Sequence, residues 1–329
     1  MISLYWFRDE GKMPFPSHVV VKAPATTANL GPGFDVFGMA LDYPSDKVTV
    51  IPISKGVKIE IYGLAAETIP KDPYKNTAGV VAESILNEFS LKTGLIIKLE
   101  KGIPPGVGLG SSAASAAAVA FGLNHLFNLE LDYKQLIQFS AKGEIASAGF
   151  EHADNVSAAI YGDFIIIKSY NPLEVINLKS PSNLGVCVAI PKVPMLPKKT
   201  EKARSVLPQT VPMEKLIHNV GHAATMAVGF ALGDVALIGK AMSDAIVEPA
   251  RAFMIPGYQK VKEMALNAGA YGVTISGAGP AVIAVIDNNE TVASKVAESM
   301  VKGFKSAGVD AEAFCTKPGK GVSLLEAKR

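Results

Sequence analysis

The sequence predicts a two-domain protein of mixed α+β class, and three observations carry that reading. The chain has 329 residues, above the usual size of one domain, with apolar content sufficient for two cores. Short β-branched runs bounded by glycine or proline recur in both halves. Segments of helical period lie between them.

Taken in order, strands are expected at His18 to Lys22, Lys47 to Ile53 and Val57 to Tyr62. Val81, Ile85 and Phe89 repeat at four-residue steps, so a helix runs from about Asn76 to Lys92, and Gly94 ends it before the strand Leu95 to Glu100. A glycine turn then opens a helix reaching about Phe127. Asp132 caps the next helix, whose inward face is read from Leu136, Ile137, Ser140, Ala141, Ile145 and Ala148. FEHADNVSAAIYGD follows, from Phe150 to Asp163, with His152 and Asn155 in one short loop after the helix, and then strands Phe164 to Lys168 and Leu184 to Ile190. The five prolines between Pro191 and Pro212 mark a mobile connection and a candidate lid. Helices cover Met213 to Met242, broken near Gly233 and Asp234. The chain closes with strand Gly272 to Ile275, the turn SGAGP, strand Ala281 to Ile286, helix Thr291 to Phe304 and strand Ala311 to Cys315.

A net charge of +2 without runs of like charge argues against a nucleic-acid partner and favours small molecules. No apolar run approaches the roughly 18 residues of a membrane span. Cys187 and Cys315 alone supply neither a disulfide framework nor a zinc cluster, which suits a reducing cytoplasm. The opening MISLYWFRDEGKMPFP is not secretory in pattern; Met13 is an alternative start, and folded structure is expected from near Ser17.

The most informative stretch is PPGVGLGSSAAS, Pro104 to Ser115. Successive glycines let backbone N–H groups turn inward, and a helix opening near Ser111 adds unpaired N–H groups and its dipole, so the segment suits a highly charged anion. Close packing of an alanine-rich helix is the alternative explanation. Glu144 falls on an apolar helix stripe, where a carboxylate is costly unless paired. Magnesium carrying phosphate oxygens would pair with it; a stripe that turns into solvent would not need to. His218 and His222 have metal-ligand spacing but no third ligand nearby, so they read as structural.

Three separated stretches, KAPATTANLGPGFDVFG (Lys22 to Gly38), PPGVGLGSSAAS and GVTISGAGPAVIAV (Gly272 to Val285), together resemble the signature motifs of the GHMP small-molecule kinases: galactokinase, homoserine kinase, mevalonate kinase and phosphomevalonate kinase. ANLGPGFDVFG, EHADNVSAAIYGD and EPARAFMIPGY are most similar to the homoserine kinase branch. The resemblance implies a ribosomal-protein-like βαβ domain over residues 17–171, a ferredoxin-like domain over 172–329, and an active site between them. It also implies ATP-dependent phosphorylation of the L-homoserine hydroxyl on the way to threonine.

By the same resemblance, Pro104, Gly106, Gly108, Leu109, Gly110, Ser111, Ser112 and Ala113 wrap the phosphates of ATP, and Ser112 with Glu144 holds magnesium. Asn76 and Lys101 match nucleotide contacts, although Asn76 also fits a helix cap. Arg204 and Arg251 would take the substrate carboxylate and Asp35 the ammonium. Arg204 also reads as one charge of a solvated helix face. Asn29, His152 and Asn155 would line the pocket and orient the hydroxyl; Asn29 also fits turn chemistry. His152 and Asp154 are rival bases in a family read as lacking a dedicated one. A shikimate- or mevalonate-type kinase and a non-catalytic ATP-binding sensor are the competing functions. Relatives imply a homodimer, with the helices after Met213 as a contact face.

Overall fold

The protein is represented by a computed structural model that describes residues 15–148, 153–194 and 199–328. Two sheets organise it. β1 (His18–Asn29) and β2 (Gly33–Ile53) form a long antiparallel hairpin, and β2 is long enough to serve two further neighbours. Its distal half pairs with β4 (Gly94–Lys101). β4 lies parallel to β3 (Val57–Gly63), a pairing that needs a crossover, and α1 (Thr77–Glu88) supplies it. The proximal half of β2 pairs with β5 (Phe164–Tyr170), the first arm of a hairpin with β6 (Leu173–Leu178).

The last strand, β11 (Ser323–Lys328), returns to the opposite edge of this sheet and pairs with β1. Sequence periodicity missed both β6 and β11; β11 is exposed along its whole length, so it carries no buried face to detect. The expected division after residue 171 therefore falls inside the β5–β6 hairpin, and residues 323–328 rejoin the first sheet.

Helix α2 (Ser111–Phe127) packs on β1 and β2, with α1, α3 (Tyr133–Ala148) and α4 (Asp154–Tyr161) around it. Its alanines are thus explained by burial on nearly every side, where larger side chains would not fit. In α3, Leu136, Ile137, Ser140, Ala141 and Glu144 are buried, but Ile145 is 48% exposed. Glu144, not Ile145, occupies the inward step, because adjacent helical residues are rotated by about 100°. The side chain of Ala148 lies outside the described residues. Asn155, expected in a short loop, instead lies in α4, fixed by burial of Val156, Ala158, Ala159 and Ile160.

The second sheet is antiparallel in the order β10 (Ala311–Thr316), β7 (Leu184–Pro191), β9 (Val282–Asp287), β8 (Gly272–Ile275). Alternate residues of β7 serve two cores: Cys187 and Ala189 join the cluster of α9 (Tyr258–Asn267) and α10 (Glu290–Ser306). Val186 and Val188 join the larger one with α6 (Met213–Leu232) and α7 (Val235–Lys240). Cys187 and Cys315 stand opposite each other in the β7–β10 register and form a disulfide, with Cα atoms 4.0 Å apart. Two cysteines 128 positions apart gave no hint of this pairing, and cysteine usage no longer argues for a reducing compartment. The proline-rich connection is likewise more than a link, since it carries α5 (Lys199–Ser205), whose Ala203 is fully buried.

Candidate active site

A cleft of about 550 Å³, lined by the glycine loop before α2 and by the SGAGP turn, runs from residues 68–77 at one end to α5 and Arg251 at the other. Gly106, Gly108 and Gly110 have φ of 72°, 93° and 64°, the left-handed region that only glycine enters freely. Two of them also leave no room for a side chain. A Cβ on Gly108 would lie 2.3 Å from the Ser276 carbonyl oxygen, and one on Gly110 would lie 1.9 Å from Thr26 Oγ1. The SGAGP turn is thus packed directly on the phosphate-type loop. Ser276 Oγ donates to the Gly108 carbonyl at 2.7 Å, and the Ala281 N–H donates to Val107 at 3.0 Å. From β1, the Thr26 N–H reaches the Leu109 carbonyl at 3.1 Å.

Gly110 precedes α2 with no side-chain cap, which leaves first-turn N–H groups available to an anion. The Ser111 hydroxyl donates to the Ile103 carbonyl at 3.1 Å. Ser112 Oγ donates to Glu144 Oε2 at 3.0 Å, so loop and α3 meet at a hydroxyl–carboxylate pair lining the cleft. Beneath them, Lys101 pairs with Asp46 and donates to the Ser111 carbonyl and Ser115 Oγ, each at 2.9 Å. Asp46 Oδ1 accepts the N–H groups of Gly102 and Ile103 at 2.9 Å. Burial raises the Asp46 pKa despite Lys101. Through these contacts Lys101 buttresses the loop, a job that the 55 positions between it and Asp46 concealed.

At the other end, Asp35 sits at φ 58° just after the first glycine turn. Its N–H donates to Asn29 Oδ1 at 3.2 Å, and its carbonyl accepts Tyr170 Oη–H at 2.6 Å. Its carboxylate accepts from both terminal nitrogens of Arg204, one at 3.1 Å. Arg204 is thus not a solvated helix charge. Arg251, carried by α8 (Val247–Arg251), is buried; its Nε donates to Ala203 at 2.9 Å and a terminal nitrogen to Gly277 at 3.1 Å. The two guanidinium centres lie 5.3 and 5.1 Å from the centre of the Phe34 ring. Burial lowers the Arg251 pKa to about 10, against the opposing pull of Asp35.

Other expected site residues take structural tasks in part. Asn29, at φ 72°, uses its amide to tie Asp35 to the Gly277 carbonyl at 3.0 Å, so turn chemistry and site placement coincide. Asn76 does cap α1, accepting from the Ala78 N–H at 3.0 Å and donating to Pro70 at 2.6 Å, while also lining the cleft. Asn155 Oδ1 accepts from Thr26 Oγ1 at 2.8 Å. Leu109 and Ala113 point into the core, and Pro105 lines the cleft where Pro104 was expected. His152 lies outside the described residues. Sequence reasoning assigned no role to Phe34, the 68–70 segment or Lys199. Lys199 donates to the carbonyls of Gly106, at 2.6 Å, and Gly279. Burial, helped by Arg251, brings its pKa down to about 7. Phe34 lies within the quoted motif ANLGPGFDVFG, whereas no motif marks the 68–70 segment or Lys199, and only the folded chain brings them to the cleft.

A homoserine kinase of Methanococcus vannielii is 48% identical over 269 residues, covering 81% of this chain and 87% of the relative. Residues 76–163 match the model of the GHMP kinases N-terminal domain, and residues 226–305 that of the GHMP kinases C-terminal. The chain belongs to the GHMP kinase family. A homoserine kinase of Natronomonas pharaonis is 44% identical over 307 residues, 93% of this GHMP kinase and 100% of the relative. The crystal structure of homoserine kinase from Cytophaga hutchinsonii superposes with a TM-score of 0.87 at 36% identity, covering 97% and 99% of the two chains. Within the family, the chain is similar over most of its length to proteins named homoserine kinase.

Proposed function

We propose that the chain transfers the γ-phosphoryl group of ATP to the side-chain hydroxyl of L-homoserine, giving O-phospho-L-homoserine and ADP in threonine biosynthesis. The observation that carries this reading is one continuous cleft with an N–H cradle at its centre and opposite charges, Asp35 and Arg204, at one end. Phosphoryl transfer needs positioning and charge neutralisation rather than a covalent intermediate. The loop from Gly106 to Ser112 holds the phosphates through backbone donors, with the base toward Asn76 and residues 68–70. Ser112 and Glu144, hard oxygen donors 3.0 Å apart, fit magnesium, which takes one or two carboxylates with phosphate and water and, when bound, neutralises phosphate charge.

A free amino acid offers both charges at once. Arg204 and Arg251 bind its carboxylate and Asp35 its ammonium, so the zwitterion replaces the Asp35–Arg204 contact without leaving either group uncompensated. The acceptor oxygen then bonds to the γ-phosphorus as the bond to the β–γ bridging oxygen breaks, and the hydroxyl proton leaves to phosphate oxygen. Asp154, buried and lining the cleft, orients Asn155 by accepting its N–H at 2.7 Å. With ATP and magnesium, ADP release is expected with L-homoserine in preference to shikimate, mevalonate and galactose. Silence on homoserine alone in that panel overturns the reading. Shikimate is the sharpest comparison, having a carboxylate and no ammonium for Asp35.

Two coarser placements accompany this reading. No helix among the described residues is long and apolar enough to cross a membrane, and we place the enzyme in the cytoplasm, with its ATP. The exposed apolar residues Met213, Ile217, Val220 and Leu232 of α6 suit a second copy of this chain. Light scattering is expected to give twice the monomer mass, reduced to a monomer by Ile217→Glu; a monomeric wild type removes the homodimer.

A further inference from the structure

We propose that Lys199 is a positioning residue that seats α5 on the two glycine turns and thereby sets the acceptor end of the cleft. Helix α5 spans seven residues, far too few to persist alone, and Ala203 is its one buried residue. It nevertheless shapes that end twice over. Its Arg204 meets the Asp35 carboxylate, and its Ala203 carbonyl accepts from Arg251 Nε at 2.9 Å. Something other than apolar burial must hold it in register. Lys199 Nζ donates to the Gly106 carbonyl of one turn, at 2.6 Å, and to the Gly279 carbonyl of the other.

The chemistry of the amine suits this task. An ammonium carries three N–H donors and a neutral amine two, so both carbonyls are served in either state. The lowering of its pKa to about 7 by burial and Arg251 shows that the charged form is disfavoured there, and an unbranched apolar side chain would escape that cost. What such a side chain lacks is the pair of donors. Because Gly108 between them already touches Ser276 and Gly279, the lysine closes a three-way contact of α5, the phosphate-type loop and SGAGP.

This inference rests on the reading that Arg204 and Arg251 bind the acceptor, and the test separates the two. In Lys199→Met, which removes both hydrogen bonds to the turns, hydrogen exchange of the α5 amides is expected to quicken about tenfold, with α1 to α3 unchanged, and the homoserine KM to rise about tenfold. kcat and the ATP KM should stay within about threefold. Lys199→Arg should recover part of both effects, and Lys202→Met, an exposed change on the same helix, should show neither. Unchanged α5 exchange overturns the proposal, as does a fall in kcat at constant homoserine KM, which would put Lys199 on the phosphoryl group. Arg204→Met tests the underlying reading independently: an unaltered homoserine KM there ends the acceptor assignment, whatever α5 exchange shows.

Discussion

Glu144→Gln is expected to lower kcat by at least ~100-fold at saturating ATP and magnesium while leaving the melting temperature unchanged or slightly higher. The two halves of that result have separate causes. Gln keeps the length and an oxygen acceptor for Ser112 Oγ, so the link at 3.0 Å between α2 and α3 survives. It removes the negative charge that would hold the ion at the phosphates, and charge neutralisation is the main service an enzyme performs in phosphoryl transfer. Stability moves the other way because Glu144 is only 6% exposed, and burying an amide costs less than burying a carboxylate. Steady-state kinetics and calorimetry on one preparation check both. A kcat within threefold of wild type would remove the magnesium role; a large fall in melting temperature would make Glu144 chiefly structural.

Gly108→Ala is expected to lower stability by about 2–3 kcal/mol and kcat/KM for ATP by ~100-fold or more. At φ 93° an alanine is strained wherever it sits. Here its Cβ would also lie 2.3 Å from the Ser276 oxygen and 2.8 Å from the Gly279 oxygen, both backbone atoms that cannot swing aside. The turns must separate, which breaks the 2.7 Å bond from Ser276 Oγ to the Gly108 carbonyl and widens the N–H cradle. Gly56 provides the comparison, since it has φ 78° and a Cβ there would meet nothing within 4 Å. Gly56→Ala should cost about 1 kcal/mol from backbone strain alone and leave the kinetics unaltered. Urea unfolding and ATP kinetics on both variants read the difference; equal effects would mean that the contact between the turns is unimportant.

Features obeying local rules were legible before the fold was known. The glycine turn and α2, from Ser111 to Phe127, follow from backbone preference and composition over a few residues. Glu144 was legible because helical period places it beside Ser140 and Ala141, and its burial confirms the face. Where the local pattern was weak, tertiary packing overrode it. α4 forms where no helix was expected because its small side chains fit against β1 and β2, and Ile145 lies exposed although its hydrophobicity suggested otherwise. Lys101 was legible as a cation near the cleft but not as the partner of Asp46.

Resemblance to the GHMP kinases pointed to the arginines and the aspartate; by itself, the sequence determined the glycine turn, the helix it opens and the carboxylate on the apolar stripe of the next helix. Those are properties of residue type and short spacing, which act over a turn or two of chain. Only the tertiary structure decided which of these groups meet, because Arg204 and Asp35 are 169 positions apart, Ser276 and Gly108 168, and Lys199 lies 93 from Gly106. Such contacts arise when the two sheets and their helices bury common apolar surface, and no periodicity along the chain encodes the register of that packing.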